Sequence, residues 1–260
     1  MNSRKDKMEA FGRLLDVMDD LREKCPWDKK QTLQSLRHLT LEEIYELTDA
    51  ILAEDMLEIK KELGDVLLHL IFYAKIASEK GCFDIGDVIN SLIDKLIFRH
   101  PHIYGSVQVQ DEEDVKRNWE KLKLKEGNKS ILAGVPKGLP SLVKAYRIQD
   151  KVKGIGFDFS TPSEAWQKVE EELHEYQQET DLKKREEEFG DILFSLINYA
   201  RISGINPDTA LEKTNIKFIS RFQKMEEIAH ETNLKLSDMS LQEMDILWER
   251  AKNILKQKQE

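Results

Sequence analysis

Apolar residues along this chain recur three and four positions apart rather than alternately, and β-branched runs bounded by tight hairpin signals are missing. That period predicts helices throughout. It places them at about Met8 to Lys24, Leu33 to Ala53, Met56 to Glu79 and Asp84 to Arg99, with a later one carrying Trp119. The same plan then begins again. LEEIYELTDAILAEDMLEIKKELGDVLLHLIFYAKIA (41–77) and EEELHEYQQETDLKKREEEFGDILFSLINYARIS (170–203) present one order of acidic, glycine and apolar positions, the second with a connection three residues shorter. Glu42, Glu43 and Glu46 answer to Glu171, Glu172 and Glu175, and Glu62, Gly64 and Asp65 to Glu188, Gly190 and Asp191.

The correspondence runs outward from there. Trp27-Asp28 matches Phe157-Asp158, Lys95 and Arg99 match Lys217 and Arg221, and Trp119-Glu120 with Lys123 matches Trp248-Glu249 with Lys252. Between the copies lies EGNKSILAGVPKGLPS (126–141), whose Gly, Pro and Ser content is that of a connecting segment. The expected architecture is all-α: two tandem copies of a helical-bundle domain, 1–125 and 141–260, joined by a linker at 126–140. A chain of 260 residues suits two modest domains.

Glu43 and Glu46 are three apart, as are Glu62 and Asp65, so each pair projects from one face of its helix. Both pairs are equidistant from Glu54, where the two helices turn, so an antiparallel hairpin brings them together at equal height. In the second copy the pairs Glu172/Glu175 and Glu188/Asp191 are symmetric about the Asp181–Leu182 bond despite the shorter turn. Neighbouring unit charges repel by about 4 kcal/mol at 4 Å and an effective dielectric of about 20, so four converging carboxylates call for a cation. Their donors are all hard oxygens, which suits Mg²⁺, with Mn²⁺ as a substitute, and points to chemistry on phosphate groups. Asp65 and Asp191 open into segments apolar on nearly all sides, so both are expected to be buried. Gly64 and Gly190, inside helices, predict close packing contacts. The opposing reading is that acidic residues three apart merely decorate a solvated face.

Basic residues separate the copies. Lys168 stands one turn before Glu172 and Lys184 one turn before Glu188, so both can lean over the acids; Lys217 and Arg221 form a further pair. Trp248 and Lys252 offer an aromatic face beside a cation. The first copy has Leu39 and Glu58 at the corresponding positions, although Lys95, Arg99 and Lys123 remain. The second copy is therefore the expected active one. His100-Pro101-His102 reads as a turn rather than a metal motif, and no Gly-rich phosphate loop of the P-loop kind occurs.

A net charge of −9 argues against a broad nucleic-acid surface. Cys25 and Cys82 are too few for a disulfide framework and are expected as two buried thiols in a reducing compartment. The N-terminus MNSRKDKMEAF lacks an apolar segment behind its basic residues, and the most apolar stretch, Val66 to Ala77, is too short to cross a bilayer. A cytoplasmic protein is expected.

At these residues the sequence resembles the MazG family of nucleoside triphosphate pyrophosphohydrolases, whose domains carry EExxE followed by ExxD; here the strings are EEIYE with ELGD, and EELHE with EFGD. CPWDKKQTLQSL, FRHPHIYG, GVPKGLPSL, GFDF and the paired WExxK strings extend the resemblance over almost the whole chain. It implies an all-α homodimer that hydrolyses nucleoside triphosphates between the α- and β-phosphates with Mg²⁺. It further implies Glu172, Glu175, Glu188 and Asp191 as metal ligands and catalytic carboxylates. Lys168, Lys184, Lys217, Arg221, Trp248 and Lys252 would then surround the nucleotide. Glu43, Glu46, Glu62 and Asp65 would form a second metal site whose activity Leu39 and Glu58 put in question. Two rivals remain: a non-catalytic nucleotide-binding scaffold or sensor, and a di-iron carboxylate protein built on Glu171 and His174, for which the first copy has Tyr45 in place of the histidine.

Overall fold

The computed structural model describes residues 1–111, 114, 115, 118, 122 and 130–257. They form two compact units, Met1–Gln108 and Val109–Glu260, and among the described residues every regular element is helical. Trp119, Glu120, Lys123 and residues 126–129 of the expected linker lie outside the described residues.

The first unit holds α1 (Arg4–Lys24), a 3₁₀ turn (Asp28–Lys30), α2 (Leu33–Leu52), α3 (Met56–Glu79), α4 (Ile85–Arg99) and the single turn α5 (Pro101–Tyr104). α1 begins four residues earlier than its apolar period suggests because Ser3 and Asp6 form a reciprocal capping box. Thr32 with Ser35 caps α2 in the same manner, and Asp55 accepts from the amides of Leu57 and Glu58 at the start of α3. Between α2 and α3 the chain reverses at Glu54, whose φ of 55° lies in the left-handed region, so α3 returns antiparallel along α2. His100-Pro101-His102 is a break and then one helical turn: His100 ends α4, and Pro101 takes the first position of α5, where its missing N–H costs nothing.

α3 is the central element of this unit, packed on α2 and α1. Its inner face contributes Ile71, Phe72 and Ile76 to a core closed by Met18 of α1 and Leu36 of α2. Arg22 ties the 3₁₀ turn to this assembly, donating to the carbonyls of Asp28 and Gln31 while pairing with Glu79 and lying over the Phe72 ring.

The second unit holds α6 (Ser141–Lys153), α7 (Pro162–Gln178), α8 (Leu182–Ile202), α9 (Pro207–Glu231), a 3₁₀ turn (Leu236–Asp238) and α10 (Leu241–Gln257). α7 and α8 form the counterpart of the α2–α3 hairpin, α6 packs on α8 and α9, and α9 pairs with α10 around Met225, Ile228, Ala229, Leu247 and Ala251. Buried Lys151 donates to the carbonyls of Ile131 at 3.1 Å and Ala133 at 3.5 Å, fastening the preceding segment onto α6. Arg201 pairs with Asp158, its Nη2 also donating to Asn198, so the GFDF string is clamped to α8.

Four expectations are corrected. The apolar segment of α8 buries only one face, leaving Leu193, Phe194 and Leu196 exposed, and that of α3 is buried from Ile71 to Ala77 but leaves Leu67 and Leu70 exposed nearer its acids. Asp65 is consequently half-buried and Asp191 exposed, not interior. A Cβ built at Gly64 or Gly190 would meet nothing within 4 Å, so neither glycine serves close packing among the described residues. Cys82 is exposed and Cys25 half-buried, because both sit in the loops that follow helices.

Ile71 is 2% exposed at the meeting of α1, α2 and α3. Ile71→Ala should lower the stability of the first unit by about 2–5 kcal/mol, read as a lower denaturant midpoint and faster amide exchange in α1 to α3, with exchange in α9 and α10 unchanged.

Candidate metal centre

The hairpin in each unit brings three carboxylates to one place. Oxygens of Glu43 on α2 and of Glu62 and Asp65 on α3 lie within 4.8 Å of one another, as do those of Glu172 on α7 and of Glu188 and Asp191 on α8. Glu46 and Glu175, both exposed, stand outside these triads but act on them electrostatically. Partial burial raises the proton affinity of Glu43, and the charges of Asp65, Glu46, Glu62 and Glu42 add to the shift. Desolvation raises that of Glu188 likewise, helped by Glu175, Asp191, Glu172 and Glu179. Both shifts have the sign of repulsion among like charges in a partly dry site.

Each triad contains one carboxylate driven into the fold. In the second unit it is Glu172, 6% exposed, whose Oε1 lies 2.8 Å from Lys168 Nζ; that ammonium also bonds exposed Glu171 at 2.7 Å. The two carboxylates hold Lys168 firmly protonated. In the first unit it is Glu62, 3% exposed, whose Oε1 is 2.8 Å from Lys61 Nζ and whose Oε2 is buried without a hydrogen-bond partner. A buried orphan carboxylate oxygen beside two further acids is what a cation site looks like before the cation is counted. The donors in both triads are hard oxygens only and suit Mg²⁺ or Mn²⁺.

Lys61 was not among the residues picked out from the sequence. It adjoins Glu62 in the chain, and neighbours in a helix ordinarily do not face each other; here the flexible stem curls back. Beneath the first triad lies a second feature without a sequence motif. Thr40 Oγ1 lies 3.0 Å from the Leu36 carbonyl, 2.7 Å from His69 Nδ1 and 2.5 Å from the Tyr73 hydroxyl, so its one proton and its lone pairs are shared among three hydrogen-bonding partners. Burial lowers the proton affinity of His69 against the opposing pull of Asp65. The second unit has Val169, Ser195 and Tyr199 at the corresponding positions, so this network belongs to the first copy alone.

The other basic residues are distributed differently from Lys168. Lys184 is exposed and its carboxylate neighbour is Glu179 in the α7–α8 turn, at 3.9 Å. Arg221 of α9 lies over the Trp248 ring of α10 at 5.9 Å, and Phe218 packs on that ring at 5.0 Å. Lys252 is paired with Glu249, and Lys217 is exposed on α9. Arg221 and Trp248 therefore make one group, and Glu172, Glu188, Asp191 and Lys168 another. Lys95 is exposed on α4 and Arg99 half-buried at its end. His174 bonds Gln178 at 2.7 Å, and Lys168 donates to Glu171 at 2.7 Å.

The MazG nucleotide pyrophosphohydrolase domain matches residues 31–104, the stretch that contains the first triad. A Thermotoga maritima protein named nucleoside triphosphate pyrophosphohydrolase/pyrophosphatase MazG is 41% identical over 247 residues, spanning 93% of this chain and 95% of that protein. An Escherichia coli K12 protein named nucleoside triphosphate pyrophosphohydrolase is 38% identical over 257 residues, spanning 94% of this chain and 98% of its own length. The uncharacterized Bacillus subtilis protein YabN is 46% identical over 242 residues, 88% of this chain and 48% of the other.

A group whose proton affinity is raised by folding stabilises the fold below its ordinary pKa and loses that contribution as pH rises through the raised value. For Glu43 and Glu188 the contribution is lost as pH rises from the ordinary carboxylate value through the raised one. A divalent cation opposes it, so the gain in melting temperature on adding Mg²⁺ to chelator-treated protein should be small at pH 4 and larger at pH 7. Equal gains at both pH values, or none at pH 7, would count against the two triads as cation sites.

Proposed function

The chain belongs to the MazG family, and on that premise we propose that it hydrolyses nucleoside triphosphates to the monophosphate and pyrophosphate at the α7–α8 hairpin of its second unit. The observation that carries this reading is the meeting of Glu172, Glu188 and Asp191 within 4.8 Å, with Lys168 bonded to the buried member. Relatives that match the chain nearly end to end and bear the name of this activity support it.

Glu172, Glu188 and Asp191 would hold Mg²⁺, with Glu175 beside them. The ion when bound supplies Lewis-acid neutralisation of phosphate oxygens. The carboxylates orient a water towards the α-phosphorus and take up its proton; the new P–O bond forms as the bond to the β-phosphate oxygen breaks and pyrophosphate leaves. Lys168 offsets the negative charge that the triphosphate adds to an already acidic site, and Lys184, Lys217, Arg221 and Lys252 are the further cations available to the leaving group.

The exposed apolar faces favour a homodimer. Val88, Ile89, Leu92, Ile93, Leu96 and Ile97 give α4 an apolar side with no buried residue, and Leu211, Ile216, Phe218 and Ile219 do the same on α9. Surfaces of this size on a lone chain mark protein contacts. Two free cysteines, one of them exposed, suit a reducing cytoplasm.

Incubated with mixed triphosphates and Mg²⁺, the protein should yield monophosphate and pyrophosphate by phosphorus NMR. Glu172→Gln and Asp191→Asn should each cut turnover at least about a hundredfold with the fold intact, whereas Glu43→Gln should leave most of it. Diphosphate plus orthophosphate would mean a different bond is cut, and binding without product would favour the scaffold reading. In sedimentation equilibrium the chain should run at twice its 30.3 kDa, and Ile93→Asp, which places a charge on the α4 face, should shift it towards monomer.

A further inference from the structure

The triad of the second unit lies midway along its hairpin. Asp191 stands ten residues after Asp181 and ten before Arg201, about 15 Å of helix axis in either direction. By the symmetry that pairs the acids, Arg201 is level with Pro162, the first residue of α7. There its side chain, 5% exposed, reaches Asp158 in the loop that leads into α7, and its Nη2 also donates to Asn198 Oδ1 at 2.7 Å. Asp158 accepts in addition from the Phe159 amide at 3.0 Å, so its carboxylate fixes the loop as well as the arginine. One end of the hairpin is thus closed by the chain itself and the other by an ion pair between the approach to α7 and the last turn of α8.

Among the described residues the first hairpin carries no counterpart of this pair. Counted from the paired acids, Lys75 stands where the second copy has Arg201; counted from the Trp27-Asp28 match, Asp19 and Asp28 stand where it has Gln149 and Asp158. Lys75 turns to Asp19 on α1 at 2.6 Å, and the Asp28 turn is held through its backbone carbonyl by Arg22. The brace for α3 is the core that Ile71, Phe72 and Ile76 share with Met18 and Leu36. In the second unit Gln149 carries no charge to draw the arginine; it is 3% exposed and donates from Nε2 to the Phe194 carbonyl of α8 at 2.8 Å. The hydrophobic cluster around Met225 and Leu247 in that unit belongs to α9 and α10 and includes no hairpin residue.

A desolvated ion pair contributes little net stability, because the charges lose in hydration much of what they gain from each other. Arg201 Nε, buried without a hydrogen-bond partner, adds a further cost. What the pair supplies is geometry, since a shift of α8 by one residue against α7 moves Asp191 by about 1.5 Å along the axis and about 100° around it. Resting on the proposed hydrolysis at this hairpin, we propose that Arg201, through Asp158, is a positioning residue that sets the height of Glu188 and Asp191 against Glu172. It acts through the register of the two helices, ten residues from the nearest triad carboxylate.

The test uses the full chain with Arg201→Met, Arg201→Lys and the double substitution Asp158→Asn with Arg201→Met, which removes both charges and leaves no buried ion unpaired. Lys75→Met in the first hairpin is the control. The measured quantities are kcat, KM for GTP and the Mg²⁺ concentration for half-maximal rate, together with Mg²⁺ binding by calorimetry in a Glu43→Gln background that disables the first triad. Arg201→Met and the double variant should lose between about tenfold and a hundredfold in kcat, the scale of a misplacement near 1 Å. They should need severalfold more Mg²⁺ while KM stays within about twofold. Arg201→Lys should recover part of the loss, and Lys75→Met should change none of the three quantities. A pair that only holds the fold would lower the melting temperature while the folded molecules keep their kcat and Mg²⁺ requirement; that result overturns the assignment, as does a rise in KM alone or an equal effect of Lys75→Met. Should the unaltered protein turn over no triphosphate, the hydrolytic reading fails by itself. Weaker Mg²⁺ binding in Arg201→Met would then still support the positioning role, and unchanged or absent Mg²⁺ binding would overturn it.

Discussion

The structure depends on a hydrophobic hairpin forcing like charges together. α3 folds back along α2, and α8 along α7, because their apolar stripes close a core. The same register sets Glu43 against Glu62 and Asp65, and Glu172 against Glu188 and Asp191. Burial of the inner face offsets the repulsion, and the residual cost shows in the raised proton affinities of Glu43 and Glu188. Each unit answers part of that cost with a lysine on its most buried carboxylate. It comes from different helices: Lys61 on α3 in one unit, Lys168 on α7 in the other. One ammonium cannot satisfy three carboxylates, which is why a divalent cation is proposed as their further partner.

The hairpins and their acids were legible in the sequence because both follow from a period and a symmetry. Residues equidistant from the turn lie at one height in an antiparallel pair, and in each copy three of the four acids picked out this way come together while Glu46 and Glu175 stand outside. Lys61 was not legible, since its contact with Glu62 depends on how a flexible stem curls, and neither was the Thr40–His69–Tyr73 network, which joins positions 29 and 33 residues apart across two helices. Gly64 and Gly190 were read as packing contacts from helix propensity, yet open space lies over both. Propensity says that a glycine needs a reason and is silent about where the reason lies. Burial of Asp191 was expected because the segment of α8 that follows it is apolar on nearly all sides, but such a segment is only as buried as its partners allow.

That last point links several observations. Leu193, Phe194 and Leu196 on α8, the apolar side of α4, and the first half of α9 are all uncovered within their own units. Gly64 and Gly190 lie on the same two hairpin helices. Open apolar helix surface of this kind is what the proposed homodimer would cover, and helices with glycine on an open face permit a close approach from outside.

Duplication gives this chain its own control. The copies share the hairpin, the triad and one bonded lysine, so those features are what the proposed cation sites have in common. They differ in what surrounds the triad. The first copy invests in a buried hydroxyl–imidazole network under it and aliphatic residues at the hairpin end; the second has Ser195 beneath and Tyr176, Arg185 and Phe189 at the end. A buried network that is satisfied by its own members stiffens a site without offering anything to a ligand. The second copy has no such network; its Arg185 lies over the Tyr176 ring with Nε buried and no hydrogen-bond partner among the described residues. The scaffold has thus kept the hairpin and its acids while the positions around them have diverged.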